Sequence, residues 1–467
     1  MSHLFGRLRR AFPSGRPLAV FLASVGVLLI AVALLEWPIL QHTHGNFIYP
    51  NDNAFLNISV ARTFSFYQVW GISQHSFQAA SSSLLYPLVL APVFFIAGAH
   101  LLIPLVINFL AAVYFLLAIQ KVLIRHGLNT GRQFLALVEI MALTVLPLLV
   151  VSGMEYTLQL LFVFLFMEAL SVSLSMPASP IPPRVYILGL LIVATRYEDI
   201  LIIALACLLL TPLRGWRTAL RLAAVSIVPV ILFGGISLAK GSYFLPNSVL
   251  MGPYPAYAIA LVLCALCPAG LLLGTYLRLP SLEKSKAVPY LSIVLLAILT
   301  LPFAVRNLAV LGHFKRDCIR MYDREYLTAG FVHLYYYRMS VGVDEPGAVS
   351  WFSEGRQLDF TGMANGAVIR SRKQHYWSPV YADSISRKEG IRAAIVTDPG
   401  FNPGQLSKWN IVATWRIPDT NPGPGPGPGA GHLVSFYAIN QYDTARLRRN
   451  LHDYEHILPA GVTVRYY

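Results

Sequence analysis

The chain has 467 residues, a formal net charge of +14, and 56% hydrophobic against 12% charged residues. A soluble domain carries about 25% charged residues, so this composition excludes a wholly water-soluble protein and puts the bulk of the chain in lipid. Much of the positive charge sits in loops flanking apolar runs, which argues against a nucleic-acid binder.

Charge is unevenly spread: of 22 Asp and Glu, 14 follow residue 310. The first two thirds read as membrane and the last third as an ordinary water-soluble domain. Cys207, Cys264 and Cys267 lie in apolar runs and Cys318 stands alone. That is neither a disulfide framework nor a zinc site, and the Cys264/Cys267 pair reads as small packing residues.

In chain order, a basic N-terminus (MSHLFGRLRRAFPSGR) leads into an apolar run at 17–40. The run is too long for a signal peptide and has no clear cleavage site, so it predicts an uncleaved first span with a cytosolic N-terminus. Further apolar runs fall at 84–98, 101–124, 133–151, 156–177, 183–195, 199–213, 218–239, 256–278 and 288–310. The 84–98 run is short and holds Pro87 and Pro92. If it lies in the interface, the clusters around Arg7–Arg16, Lys121–Arg132, Arg184, Arg214–Arg221 and Arg278–Lys286 all face the cytosol, as the positive-inside rule requires. If it crosses, every later cluster lands outside. The expected fold is therefore mostly α. It is a polytopic transmembrane helical bundle of about nine spans plus juxtamembrane helices over 1–310, with a soluble extracytoplasmic α/β domain over 311–467.

This topology gathers the unusual residues on the outer side: Asp52, Glu155, Arg196 with Glu198 and Asp199, and the Lys240–Asn247 loop. Charges at span ends must reach water, pair or line a cavity, and their grouping on one side favours a shared polar cavity over separate interfacial caps. Glu139 and Glu168 sit mid-span and either pair within the bundle or face a cavity. His42 and His44 flank the first span's outer end, a weak signal for a phosphate or metal.

The ordered segments "NDNAFLNISVAR" (51–62), "ASSSLLYPLVLAP" (80–92), "SGMEYTLQLL" (152–161), "ATRYEDILI" (194–202), "GSYFLPNSVLMG" (241–252) and "VGVDEPGAVSWFSEGRQLDFTGMAN" (341–365) resemble those of the GT-C superfamily of membrane glycosyltransferases. The closest likeness is to bacterial terminal arabinofuranosyltransferases, which use polyprenyl-phosphate-linked sugars. Members often carry an acidic pair there; this chain keeps the first acid as Asp52 and has Asn53 in the second place, and Arg62 matches the helix arginine. Tyr197 stands where the family usually has proline.

The resemblance implies an integral membrane enzyme, in a bacterial plasma membrane, that transfers a sugar from a polyprenyl-phosphate donor to an extracytoplasmic glycan, lipid or protein acceptor. Such transfer needs a carboxylate to take the acceptor proton and cations or backbone donors to hold the leaving lipid phosphate. One base and no nucleophile implies a single inverting displacement. Asp52 is the expected base, although Asp is also a preferred N-cap for the helix expected after it. Arg196 is the expected phosphate ligand, because a guanidinium matches phosphate oxygens bidentately; Lys240 and Arg62 are second choices. Asn53, Glu155, Glu198 and Asn247 are candidate substrate contacts. The residues show no metal cluster, so the expected reaction uses no cofactor.

In the tail, "RMSVGVDEPGAVSWFS" and "IRAAIVTDPG" read as strands, and "RKEGIRAAIVTD" as helix then strand. "HLYYYR" (333–338) suits either a core strand or a sugar-stacking surface, and "NPGPGPGPGAG" is a low-complexity loop. Two other classes keep a place: a transporter or flippase for a lipid-linked substrate, and a non-catalytic membrane scaffold.

Overall fold

The structure, a computed structural model, describes residues 15–176, 179–251, 306–397, 409–418, 432–459 and 461–467. The expected span at 256–278, all but the last five residues of that at 288–310, the Cys264/Cys267 pair, the Arg278–Lys286 cluster and the glycine–proline run lie outside the described residues. The chain forms two compact units, each drawn from three separate stretches: Met1–Gly45, Leu102–Ile231 and Pro253–Lys315 in one, Asn46–Leu101, Leu232–Gly252 and Arg316–Tyr467 in the other.

The first unit is helical. Pro17 opens Arg16–His42, where its fixed φ suits the first turn. Leu102–Arg125 follows, then Thr130–Leu143, whose N-cap Asn129 accepts the amide of Arg132 at 3.0 Å. The expected 133–151 span is not one helix. Val145 adopts φ 50° ahead of Pro147, and a separate helix, Leu146–Val151, begins there. Tyr156–Leu174 leads to two shorter helices, Pro183–Thr195 and Ile200–Arg214, joined through a 3₁₀ turn at Tyr197–Asp199.

Among the described residues four helices are long and apolar enough to cross a membrane: Arg16–His42, Leu102–Arg125, Tyr156–Leu174 and Trp216–Ala239. Of the nine expected spans, one lies wholly and one almost wholly outside the described residues. Pro183–Thr195 and Leu85–Ala97, at 13 residues each, are too short to span about 30 Å of hydrocarbon by themselves.

Helix ends in this unit are sorted by charge. Gln120 donates to Pro17 O at 2.7 Å, and Arg125 pairs with Glu168 at 2.6 Å, which answers where that mid-span acid goes. Arg214 donates to Met176 O and Ser179 O at 2.7 and 2.8 Å. These contacts put Arg16, Arg125, Arg184 and Arg214 at one end of the helices. Asn108, near the start of Leu102–Arg125, donates to Met154 O at 2.9 Å and so marks the opposite end, where Glu155 and Arg196 lie.

The second unit carries a six-stranded mixed sheet in the order β2-β1-β3-β5-β4-β6, with β1 at Val341–Val343, β2 at Gln357–Asp359, β3 at Ala393–Val396, β4 at Asn410–Ile417, β5 at His432–Ala438 and β6 at Thr463–Tyr466. β1 pairs in parallel with β2 and β3, while β5, β4 and β6 add antiparallel neighbours. Parallel neighbours need crossovers: Pro346–Phe352 links β1 to β2, and Gly366–Lys373 with Pro379–Lys388 link β2 to β3.

Leu358, Phe360, Val368, Ile385 and Trp409 form one buried cluster. Trp415 stacks on Tyr454 at 5.7 Å and meets Phe436 at 4.4 Å, with Phe331 edge-on to both Phe436 and Tyr454. Two expectations are corrected here. "DEPGAVSWF" after β1 is a helix, because Pro346 and small residues open it, and "HLYYYR" falls on the end of the helix Leu327–Tyr336.

Candidate functional site

In the sheet-bearing unit, Asp52 begins the helix Asp52–Tyr67, but Asn51 is its N-cap, accepting the amide of Asn53 at 2.9 Å. The Asp52 side chain caps a different helix. Its Oδ2 accepts the amide of Gly347 at 2.8 Å and its Oδ1 that of Ala348 at 2.9 Å. These are orphan donors of the first turn of Pro346–Phe352, whose own N-cap residue, Glu345, makes no side-chain cap.

Ten residues on, about 15 Å along a helix, Arg62 serves the other end of the same short helix. Its Nη1 donates to Trp351 O at 2.6 Å and its Nη2 to Ser350 O at 2.9 Å, with the guanidinium 5.5 Å from the Trp351 ring centroid. An acid at the N-terminus and a cation at the C-terminus both complement the helix dipole. The Ser59 and Ser350 hydroxyls meet between them at 2.9 Å.

The serine-rich segment contacts this helix, and the 241–252 segment in turn contacts the residue before the serine-rich one. Ser81 donates to Asn57 Oδ1 at 2.7 Å, and Asn247 donates its amide to Ala79 O at 2.9 Å. Asn247 is buried and its Oδ1 has no hydrogen-bond partner among the described residues. Asn53 is half-buried at the helix start, and Lys240 is exposed.

Acids that were not among the expected site residues act on Asp52: Glu325, Glu345 and Asp359. A π-helical turn, Tyr322–Tyr326, bears Arg324 and Glu325, and such turns collect at functional sites. Arg324 pairs with Glu325 and lies 3.4 Å from Glu345. Glu325 Oε2 is buried without a hydrogen-bond partner among the described residues. Burial first, then the charges of Glu325 and Asp359, push the Asp52 carboxyl up to about 7, against the pull of its two amide bonds. Burial, and then Asp52 and Glu325, raise Glu345 as well. The only forewarning in the sequence was the local density of acid in "YDREY" and "VDEPG".

Two outcomes follow. Gly347 has no Cβ because one would run into the backbone oxygen and Oδ1 of Asp52. Gly347→Ala is expected to destabilise by about 1–3 kcal/mol, as overpacked sites do, and to raise amide exchange in 346–353. The second outcome concerns pH. The Asp52 pKa is raised above its unfolded value, so its contribution to stability is full below about 3.8 and is lost as pH rises through about 7. Thermal unfolding is expected to show lower stability at pH 8 than at pH 5, by up to about 1.4 kcal/mol per pH unit in that window.

In the helical unit, the positive φ of Gly153 (70°) turns the chain into Tyr156–Leu174 and leaves Glu155 fully buried at its start. Arg196 bridges two acids, Nη1 to Glu155 Oε1 at 3.0 Å and Nη2 to Glu198 Oε1 at 3.1 Å, and lies over Tyr156 at 5.1 Å. Asp199 accepts from Gln159 at 2.8 and 2.9 Å. The expected phosphate ligand thus already has two carboxylate partners. Among the described residues no group of three or more His, Cys, Asp or Glu is placed to hold a metal ion. Compared with known protein families, with curated proteins and with solved structures, the chain has no match.

Proposed function

We propose that this protein is a membrane glycosyltransferase that moves a sugar from a polyprenyl-phosphate donor to an extracytoplasmic acceptor, with inversion and with Asp52 as general base. The observation that carries the reading is the state of Asp52. A carboxyl raised to about 7 is matched to proton abstraction near neutral pH. Two backbone amides fix its orientation, and each oxygen keeps a further lone pair to receive a proton. The contacts of the Asp52–Tyr67 helix with the 80–92 segment, through Ser81 and Asn57, and with the 341–365 segment, through Asp52 and Arg62, support it too. In this reading the chain has nine spans, a cytosolic N-terminus and an extracytoplasmic sheet domain.

The same clamp favours a second reading. Asp52 and Arg62 together hold the Pro346–Phe352 helix, as a non-catalytic scaffold would require. Sugar transfer from a panel of polyprenyl-phosphate sugars, with purified protein in lipid nanodiscs, decides between them. Transfer to an added acceptor or to water supports the enzyme, with a rate rising as pH passes about 7 while stability falls. No turnover by folded protein with any donor and a broad acceptor set leaves the scaffold.

A further inference from the structure

The basic end of the helical unit holds a cavity of about 450 Å³, lined by Ser179, Tyr186, Arg214, Thr218 and Arg221 among others. Arg214 forms its fixed wall. Besides its bonds to Met176 O and Ser179 O, it donates to Ser173 O, so its guanidinium is pinned by the carbonyls that end Tyr156–Leu174. Arg221 is different: it is exposed, lines the same cavity, and makes no ion pair or hydrogen bond among the described residues. Between residues 169 and 226 the chain has two acids, Glu198 and Asp199, and both lie at the opposite end of these helices. Glu168 is already paired with Arg125. Two arginines, Arg214 and Arg221, therefore line a hydroxyl-bearing cavity, with Arg217 one turn before Arg221 on the same helix, and no carboxylate is among the lining residues.

The helix that carries Arg217 and Arg221 is amphipathic. Trp216–Ser226 buries Ala219, Leu222 and Ser226 but leaves Trp216 62% and Leu220 59% exposed beside the arginines. Met176, Ile187 and Leu213 are also exposed, and Ile187 and Leu213 adjoin in sequence the lining residues Tyr186 and Arg214. Exposed tryptophan and leucine interleaved with arginine is the pattern of the headgroup-level end of a membrane-crossing helix, and Trp216–Ser226 is the first half of Trp216–Ala239. A free anion would need the cations alone, whereas a lipid also uses the apolar rim.

We infer that this cavity binds the phosphate of an anionic phospholipid, with Arg221 and Arg217 on the headgroup and the Trp216, Leu220 and Ile187 side chains beside the acyl chains. The inference is independent of the catalytic reading. It is tested with the purified full-length protein by native mass spectrometry in detergent, counting bound lipid during titration with phosphatidylglycerol, phosphatidylcholine or inorganic phosphate. Phosphatidylglycerol is expected to bind more tightly than phosphatidylcholine. Arg221→Gln and Arg217→Gln should each weaken phosphatidylglycerol about fivefold, the effect of one arginine at an anionic surface. Arg132→Gln removes a charge from the same end without touching the cavity and should leave binding unchanged. Equal binding of both lipids, an unaffected Arg221→Gln, or an equal loss in Arg132→Gln would overturn the inference. Competition by millimolar inorganic phosphate as effective as that by lipid would overturn it in favour of a soluble anion.

Discussion

Asp52→Asn is expected to lower sugar transfer by about 10²–10⁴-fold, the usual contribution of a positioned general base, while the protein stays folded. The amide keeps one acceptor for Gly347 or Ala348 and turns an NH₂ toward the other amide. One orphaned donor costs about 1–3 kcal/mol. Against that, the substitution removes a charge from a crowd of acids whose burial already disfavours ionisation. The net stability change should be small at pH 8 and larger at pH 5, where Asp52 holds its proton. Transfer that survives in a folded Asp52→Asn protein would remove the base assignment and leave the residue as a cap for Pro346–Phe352. Measuring transfer and the amide exchange of 346–353 on the same preparation separates the two roles.

The second large effect concerns the buried ion pairs. Arg196→Met leaves Glu155, fully buried, and Glu198, nearly so, without the guanidinium that both accept from. Removing one partner of a buried pair costs about 3–5 kcal/mol, so thermal unfolding in detergent should show a substantial loss. The double substitution Arg196→Met with Glu155→Gln should recover part of it, because the uncompensated charge is then reduced. Arg196→Lys should fall between, as an ammonium cannot span both carboxylates in the planar geometry of the fork. A wild-type melting curve for Arg196→Met would show that the pairs contribute nothing to stability and free Arg196 for a ligand.

Both experiments turn on roles that sequence pattern left open. Asp52 was legible as an unusual acid outside an apolar run, and Arg62 as an arginine on the following helix. Helical spacing could place each on its own helix but could not show that both side chains leave it to serve a seven-residue helix almost 300 positions later. The same limit hid Glu325 and Glu345. Their proximity to Asp52 is set by a π-helical turn and by the fold of the sheet-bearing unit, neither of which has a local signature.

Composition and periodicity by themselves determined that this chain belongs with lipid, that its acids concentrate after residue 310, and that helix follows helix before a mixed α/β region. They could do so because the burial of apolar side chains and the exclusion of charge are additive along the chain. Only the tertiary structure decided where the span-sized runs break, as at Val145, which helix Asp52 caps, and that Arg196 spends its fork on Glu155 and Glu198. Those are matters of direction and distance between residues far apart in sequence. A hydrogen bond or ion pair depends on geometry within a few tenths of an ångström, and no count of residue types carries that information.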